Sequence, residues 1–132
     1  LMSTRAGALD PGAVLYLLRE ANGNPDSVEQ LLAHYCGLLG ASGISGDMRD
    51  LLASPAPEAA EAVELFCYRA AREAGAMIAA MEGLDAVAFS GGIGENAPAI
   101  RARVCEKLAW LGVALDPVAN AAGAPVLSAP NS

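Results

Sequence analysis

Apolar side chains recur at helical spacing in four stretches of this chain. Behind Asp10-Pro11, a capping residue followed by a proline suited to a first turn, Val14, Leu15, Leu17 and Leu18 predict a helix over about 11–20. Ala21-Asn22-Gly23-Asn24-Pro25 breaks it. Ser27 with Gln30 three residues on is a capping-box pattern, and the stripe Val28, Leu31, Leu32, Tyr35, Leu38, Leu39 predicts a second helix over about 28–39, with Gly40 as its terminating glycine. The longest helix is expected over about 57–81. There Val63, Cys67, Ala70, Ala74, Met77 and Met81 alternate by four and three, Glu58, Glu61 and Glu64 favour the positive end of the dipole, and Gly83 marks the stop. A fourth stripe, Ile100, Val104, Leu108 and Leu111, follows Asn96 as a cap and Pro98 in a first turn, and runs to Gly112.

Between these helices the period disappears. Gly40 to Asp50 holds three glycines and two serines in eleven residues with no period of its own, and reads as a backbone-rich loop. Leu84-Asp85-Ala86-Val87-Ala88-Phe89 is a short apolar run between turn signals, as expected of a strand covered on both faces, and Ser90-Gly91-Gly92-Ile93-Gly94-Glu95 follows it as a glycine loop. Val113-Ala114-Leu115 and Val126-Leu127-Ser128 offer at most two more short strands. With no internal repeat and no linker, residues 1–132 read as one α/β domain, or a piece of one, mostly helical in this segment.

Composition narrows the class. Alanine supplies 29 residues and aromatics only 6, so the apolar content is weighted toward small side chains that suit close helix packing. A net charge of −7 without any basic run argues against nucleic acid and against an anionic membrane surface as partners. No apolar stretch approaches the ~20 residues of a spanning helix, and a soluble, cytoplasmic protein is expected. Cys36, Cys67 and Cys105 lack CxxC spacing and lie on apolar helical segments, which predicts buried thiols in a reducing compartment. The chain opens on Leu1 and stops just after the start of a strand, which suggests a fragment.

Three segments carry candidate chemistry. In the strand–loop–helix unit at 84–111, freed backbone N–H groups and a positive helix N-terminus attract phosphate-bearing ligands. By spacing alone Gly92-Ile93-Gly94-Glu95-Asn96-Ala97 fits the dinucleotide fingerprint, with Asp116 near the ribose-binding position; the bland alternative is a tight turn that lets helix and strand pack closely. Asp47-Met48-Arg49-Asp50 offers a guanidinium that can stack on an adenine and a carboxylate that can accept from hydroxyls or the base, or else simply starts a helix. Arg5, flanked by Thr4 and Gly7, is either an anion-holding fork or an ordinary exposed arginine. His34 reads as a helix histidine without ligand-spaced partners, Met77 and Met81 as core filling, and Trp110 as a packing anchor.

Three strings taken together change the weighing: Met2 through Gly12, Gly37 through Leu51, and Phe89 through Ala97. With Arg101-Ala102-Arg103-Val104-Cys105 and Trp110-Leu111-Gly112 they resemble, in order and over practically the whole chain, the acetate kinase family. That resemblance implies a portion of the second domain of an actin-like sugar-kinase/Hsp70 ATPase fold, and reversible transfer of the ATP γ-phosphoryl group to acetate or another short-chain carboxylate with Mg²⁺. It implies Arg5 as the arginine that stabilises the phosphoryl group in flight. Asp47, Met48 and Arg49, with Gly92, Ile93, Gly94, Glu95 and Asn96, become the adenosine and phosphate pocket for ATP or ADP. Mg²⁺ ligands are expected mostly outside these residues, and a homodimer through this domain is expected. Members usually read Arg-Ser-Gly-Asp where this chain reads Arg5-Ala6-Gly7-Ala8, and the family's first domain falls outside the 132 residues, so the isolated chain is expected to be inactive. The rival readings are a dinucleotide-dependent oxidoreductase built on 84–116, and a non-catalytic nucleotide-binding or self-associating module.

Overall fold

The computed structural model describes all residues from Leu1 to Ser132. The chain divides into two compact units, Leu1–Phe66 and Cys67–Ser132, with the boundary inside one long helix.

In the first unit, α1 spans Pro11–Glu20, capped by Asp10, whose Oδ1 accepts from the Gly12 amide at 2.7 Å. The second predicted helix is instead two. α2 covers Pro25–His34 and α3 covers Gly37–Ser42. The cap of α2 is Asn24, whose Oδ1 takes the amides of Asp26 and Ser27, so Ser27 sits inside the first turn rather than ahead of it. The break has a tertiary cause. The opening segment lies across it, and the amides of Cys36, Leu38 and Leu39 donate to the carbonyls of Thr4, Met2 and Ser3 at 2.7–3.0 Å, while Ala6 donates back to Leu32. Helical hydrogen bonds that would have bridged 35–37 are replaced by these. The terminating glycine is accordingly Gly43 (φ 65°), and Gly40 lies within α3.

A short turn leads to α4, Met48–Ala53, and then to α5, Pro57–Met81, which matches its predicted limits. The apolar side chains buried in the first unit are Val28, Leu38, Met48, Leu51, Ala59, Ala62 and Val63. α1 packs on α2 but fully buries none of its own residues.

In the second unit α5 stops where Glu82 turns left-handed (φ 60°) and the Gly83 amide reaches back to the Ile78 carbonyl. The buried residue near this end is Ile78. Met77 and Met81 are 58% and 63% exposed and do not fill the core. Leu84–Phe89 is not the covered strand that its apolar run predicts: it bends at Asp85, residues 85–88 are exposed, and none of its backbone groups pairs with another strand, so there is no sheet here to cover it. The glycine stretch after it is not an open loop: it folds into α6, Gly91–Asn96. α7 (Pro98–Lys107), a 3-10 turn (Ala109–Leu111) and α8 (Pro117–Ala122) follow. α7 is the hub, touching α6, α8 and the turn, and it buries Ile100, Arg101, Val104 and Cys105. The two tail strands reduce to a single antiparallel bridge, Leu115 to Ser128. Trp110 is 76% exposed, because the 3-10 turn rotates it off the stripe that ends at buried Leu108.

Candidate functional site

Arg5 stands on the opening segment that splits α2 from α3. Both neighbours are tied down, Thr4 through its carbonyl to Cys36 and through Oγ1 to the Ala33 carbonyl at 3.0 Å, and Ala6 through its amide to Leu32. Arg5 itself is exposed, with no ion pair or hydrogen bond on its guanidinium. A fixed backbone thus carries a cation that nothing in the chain neutralises.

The turn between α3 and α4 is built around two serines. Ser42 Oγ, buried, donates to the Leu38 carbonyl at 2.8 Å and accepts from the amides of Ile44 and Ser45. Ser45 Oγ donates to Asp50 Oδ2 at 2.7 Å and accepts from the Asp47 amide at 3.0 Å. Asp47 then caps α4, taking the Arg49 amide at 2.8 Å, and the Arg49 guanidinium folds back onto the same carboxylate. That guanidinium holds the Asp47 carboxyl down at about 2. Of the three residues expected here, Asp47 and Arg49 are brought together and Arg49 stays open to solvent. Met48 points inward and is 4% exposed, a core residue of the first unit.

In the second unit Gly91, Gly92, Glu95 and Asn96 are exposed on α6, with Ile93 and Gly94 half-buried. The Gly91 amide is taken by Glu95 Oε1 at 3.0 Å, and Asn96 Nδ2 donates to the Gly92 carbonyl at 3.0 Å. Gly94 packs closely on Phe89: a Cβ there would sit 3.3 Å from the Phe89 carbonyl carbon, a tight contact. Gly94, Glu95 and Asn96 reach a cavity of ≈ 860 Å³ lined also by residues of Leu84–Phe89, Leu111–Leu115 and Gly123–Ser128. Asp116 does not serve that cavity as a ribose ligand, because its Oδ1 caps α8 by accepting from Val118 and Ala119.

Sequence reasoning missed Arg101. Its side chain is buried at the back of α6 and donates to the carbonyls of Gly94 and Glu95 and to Asn120. The signal was its helical phase: Arg101 shares a face with Cys105 and Leu108, so a cation stood in an apolar stripe. The cysteine expectation holds for Cys67 and Cys105, which are buried; Cys36, beside the helix break, is only half-buried, and no disulfide joins the three. No helix is long and apolar enough to cross a membrane.

The family model described as the Acetokinase family matches residues 1–132. The chain is 60% identical over 134 residues to the acetate kinase of Rhodopseudomonas palustris (strain TIE-1), covering 100% of this chain and 34% of that protein. It is 52% identical over 126 residues to the acetate kinase of Rhizobium meliloti, covering 96% of this chain and 32% of that protein. Among solved structures, the Porphyromonas gingivalis acetate kinase aligns with a TM-score of 0.89 at 33% identity, over 100% of this chain and 35% of that one. A propionate kinase from Francisella tularensis subsp. tularensis SCHU S4 aligns with a TM-score of 0.91 at 33% identity, with the same coverage. The chain spans about a third of the length of the relatives it matches. Its mostly helical α/β architecture is a segment of the actin-like ATPase fold of these kinases. Matched along its whole length in sequence and reproducing the backbone of the corresponding part of both solved kinases, the chain belongs to the acetokinase family.

Proposed function

We propose that this chain is a nucleotide-binding portion of the second domain of a cytoplasmic, homodimeric acetate kinase, which reversibly transfers the γ-phosphoryl group of ATP to acetate, giving acetyl phosphate and ADP. The carrying observation is the family match over every residue from 1 to 132. Exposed, unneutralised Arg5 on a backbone fixed at both sides supports the catalytic role assigned to it.

A phosphoryl group in transfer spreads negative charge over its equatorial oxygens, and catalysis is mainly positioning plus cationic stabilisation. Arg5 supplies the cation. A side chain of this kind contributes roughly 10³–10⁵ in rate. Acetate, with a carboxyl pKa far below neutrality, is already the nucleophile, so no residue here is needed as a general base. Arg49, presented by the capped start of α4, is assigned to the adenine, with Asp47 accepting from a nucleotide hydroxyl or base and Met48 backing it from the core. Gly92, Ile93 and Gly94, with Glu95 and Asn96, are assigned to the phosphates. The Mg²⁺ that accompanies the nucleotide would be held mainly by its phosphates and by residues outside this chain. Alone, the chain binds nucleotide without turning it over.

Calorimetry of the chain with ADP and, separately, with NAD tests the binding reading: ADP binds and NAD does not. Grafting residues 1–132 in place of the matching third of the R. palustris acetate kinase tests the chemistry, with acetyl phosphate trapped as the hydroxamate. The graft is expected to be active, and Arg5→Ala in it to lose roughly 10³-fold or more. An inert graft that folds, or an Arg5→Ala graft at full rate, removes the assignment.

A further inference from the structure

The geometry points to Arg101 as a positioning residue for the glycine helix: from inside the second unit it clamps the C-terminal end of α6 and so sets the placement of the Gly92–Asn96 backbone toward nucleotide. This rests on the nucleotide-binding reading of that segment.

The bonding of Arg101 is directional. Nη1 donates to the Gly94 carbonyl at 2.9 Å and to the Glu95 carbonyl at 2.8 Å. Nε donates to Asn120 Oδ1 at 2.7 Å, and Nη2 to the Asn120 carbonyl at 2.7 Å. Asn120 in turn donates from Nδ2 to the Pro98 carbonyl at 2.9 Å. Both side chains are buried, at 3% and 6% exposure, and no carboxylate pairs with Arg101.

A buried guanidinium without a carboxylate is an expensive way to fill a core, since desolvating the charge costs more than an apolar side chain of similar volume would. Its compensation here comes from four oxygens, two of them carbonyls of the last turn of α6, which no intrahelical amide reaches. A six-residue helix of Gly-Gly-Ile-Gly-Glu-Asn has little intrinsic tendency to hold its shape. It is held at Gly94 from two sides: the Phe89 main chain packs tightly, 3.3 Å from where a Cβ would stand, and Arg101 takes the carbonyl. Asn120 fixes the fork and ties it to α8 and to the start of α7.

Lysine keeps the charge but offers no planar fork, and Asn120→Ala removes the acceptor that orients Nε. The test is amide hydrogen exchange on the wild-type chain, Arg101→Lys and Asn120→Ala, alongside titration with a fluorescent ADP analogue. In both variants the amides of Gly94, Glu95, Asn96 and Ala97 are expected to exchange roughly tenfold faster or more, those of Val104–Leu108 to stay within about twofold, and ADP affinity to fall about tenfold. Unchanged exchange at 94–97, a uniform loss across α6, α7 and α8, or failure of both variants to fold would each overturn the clamp, since the last two describe a residue that only stabilises. If exchange changes as expected but the wild-type chain binds no ADP, the nucleotide reading falls while the clamp on α6 stands. Faster exchange at 94–97 with undiminished ADP affinity overturns the positioning role.

Discussion

Arg49 folds back two residues to place Nη2 2.6 Å from Asp47 Oδ2, so the two charged groups expected to meet a nucleotide separately are paired with each other. The guanidinium remains 89% exposed and the carboxylate 39%, which makes the pair salt-sensitive and modest in its effect on stability.

Its clearest signature is a titration. The Arg49 side chain and then the Arg49 amide hold the Asp47 carboxyl at about 2. A lowered folded-state value means that the pair's contribution is complete above the unfolded carboxylate's ~3.9 and disappears as the pH falls through the folded value. NMR titration of the Asp47 carboxyl is expected to show a midpoint near 2 in the wild type, moving up toward the ordinary range in Arg49→Ala. A midpoint that ignores this substitution would mean the pair does not form in solution.

Ser42 organises the turn that delivers this pair. Ser42→Ala leaves the amides of Ile44 and Ser45 without their acceptor in a part-buried setting, at a cost of about 1–3 kcal/mol. A urea melt measures it, and a loss below about 0.5 kcal/mol, the size of an ordinary surface change, would show that the turn reforms around water.

Gly37 and Gly43 share a left-handed backbone (φ 65° at both) but differ in surroundings. A Cβ at Gly37 would run into the Met2 carbonyl oxygen, whereas one at Gly43 meets nothing within 4 Å. Gly43→Ala should therefore cost only the backbone term, about 1–2 kcal/mol, and Gly37→Ala distinctly more because the Arg5-bearing segment must lift. Equal losses for the two in parallel melts would contradict the packing of that segment on α3.

The thiols should separate by access. Cys67 is 0% and Cys105 5% exposed, and burial pushes the Cys105 thiol up against the smaller opposing pull of Arg101. With a thiol-exchange reagent at neutral pH, Cys36 is expected to react fast and the other two only as the chain opens. Three equal rates would exclude a packed second unit.

The opening segment supplies half the account of what could be read in advance. Helices 11–20 and 57–81 were legible because cap, period and stop agree locally: Asp10-Pro11 starts one, and glutamates, alanines and the Gly83 turn bound the other. The α2–α3 break was not legible, since Tyr35-Cys36-Gly37 carries a continuous helical stripe and only the Thr4, Met2 and Ser3 carbonyls divert its amides. Met77 and Met81 satisfied a periodic pattern and still lie outside the core, because a stripe wider than the available neighbour leaves its edges in solvent, and Trp110 is turned out by the 3-10 turn.

The candidate site divides the same way. Its residue types, and the family to which their order belongs, were contained in the sequence, because glycine, arginine and capping aspartate have chemistry that does not depend on distant residues. Tertiary structure alone decided that the glycine stretch coils into α6, that Arg49 lies on Asp47, that Asp116 caps a helix, and that Arg101 turns inward. Hydrogen-bond partners are chosen by which groups folding brings within reach, and a buried charge can be tolerated only where carbonyls from separate segments converge on it.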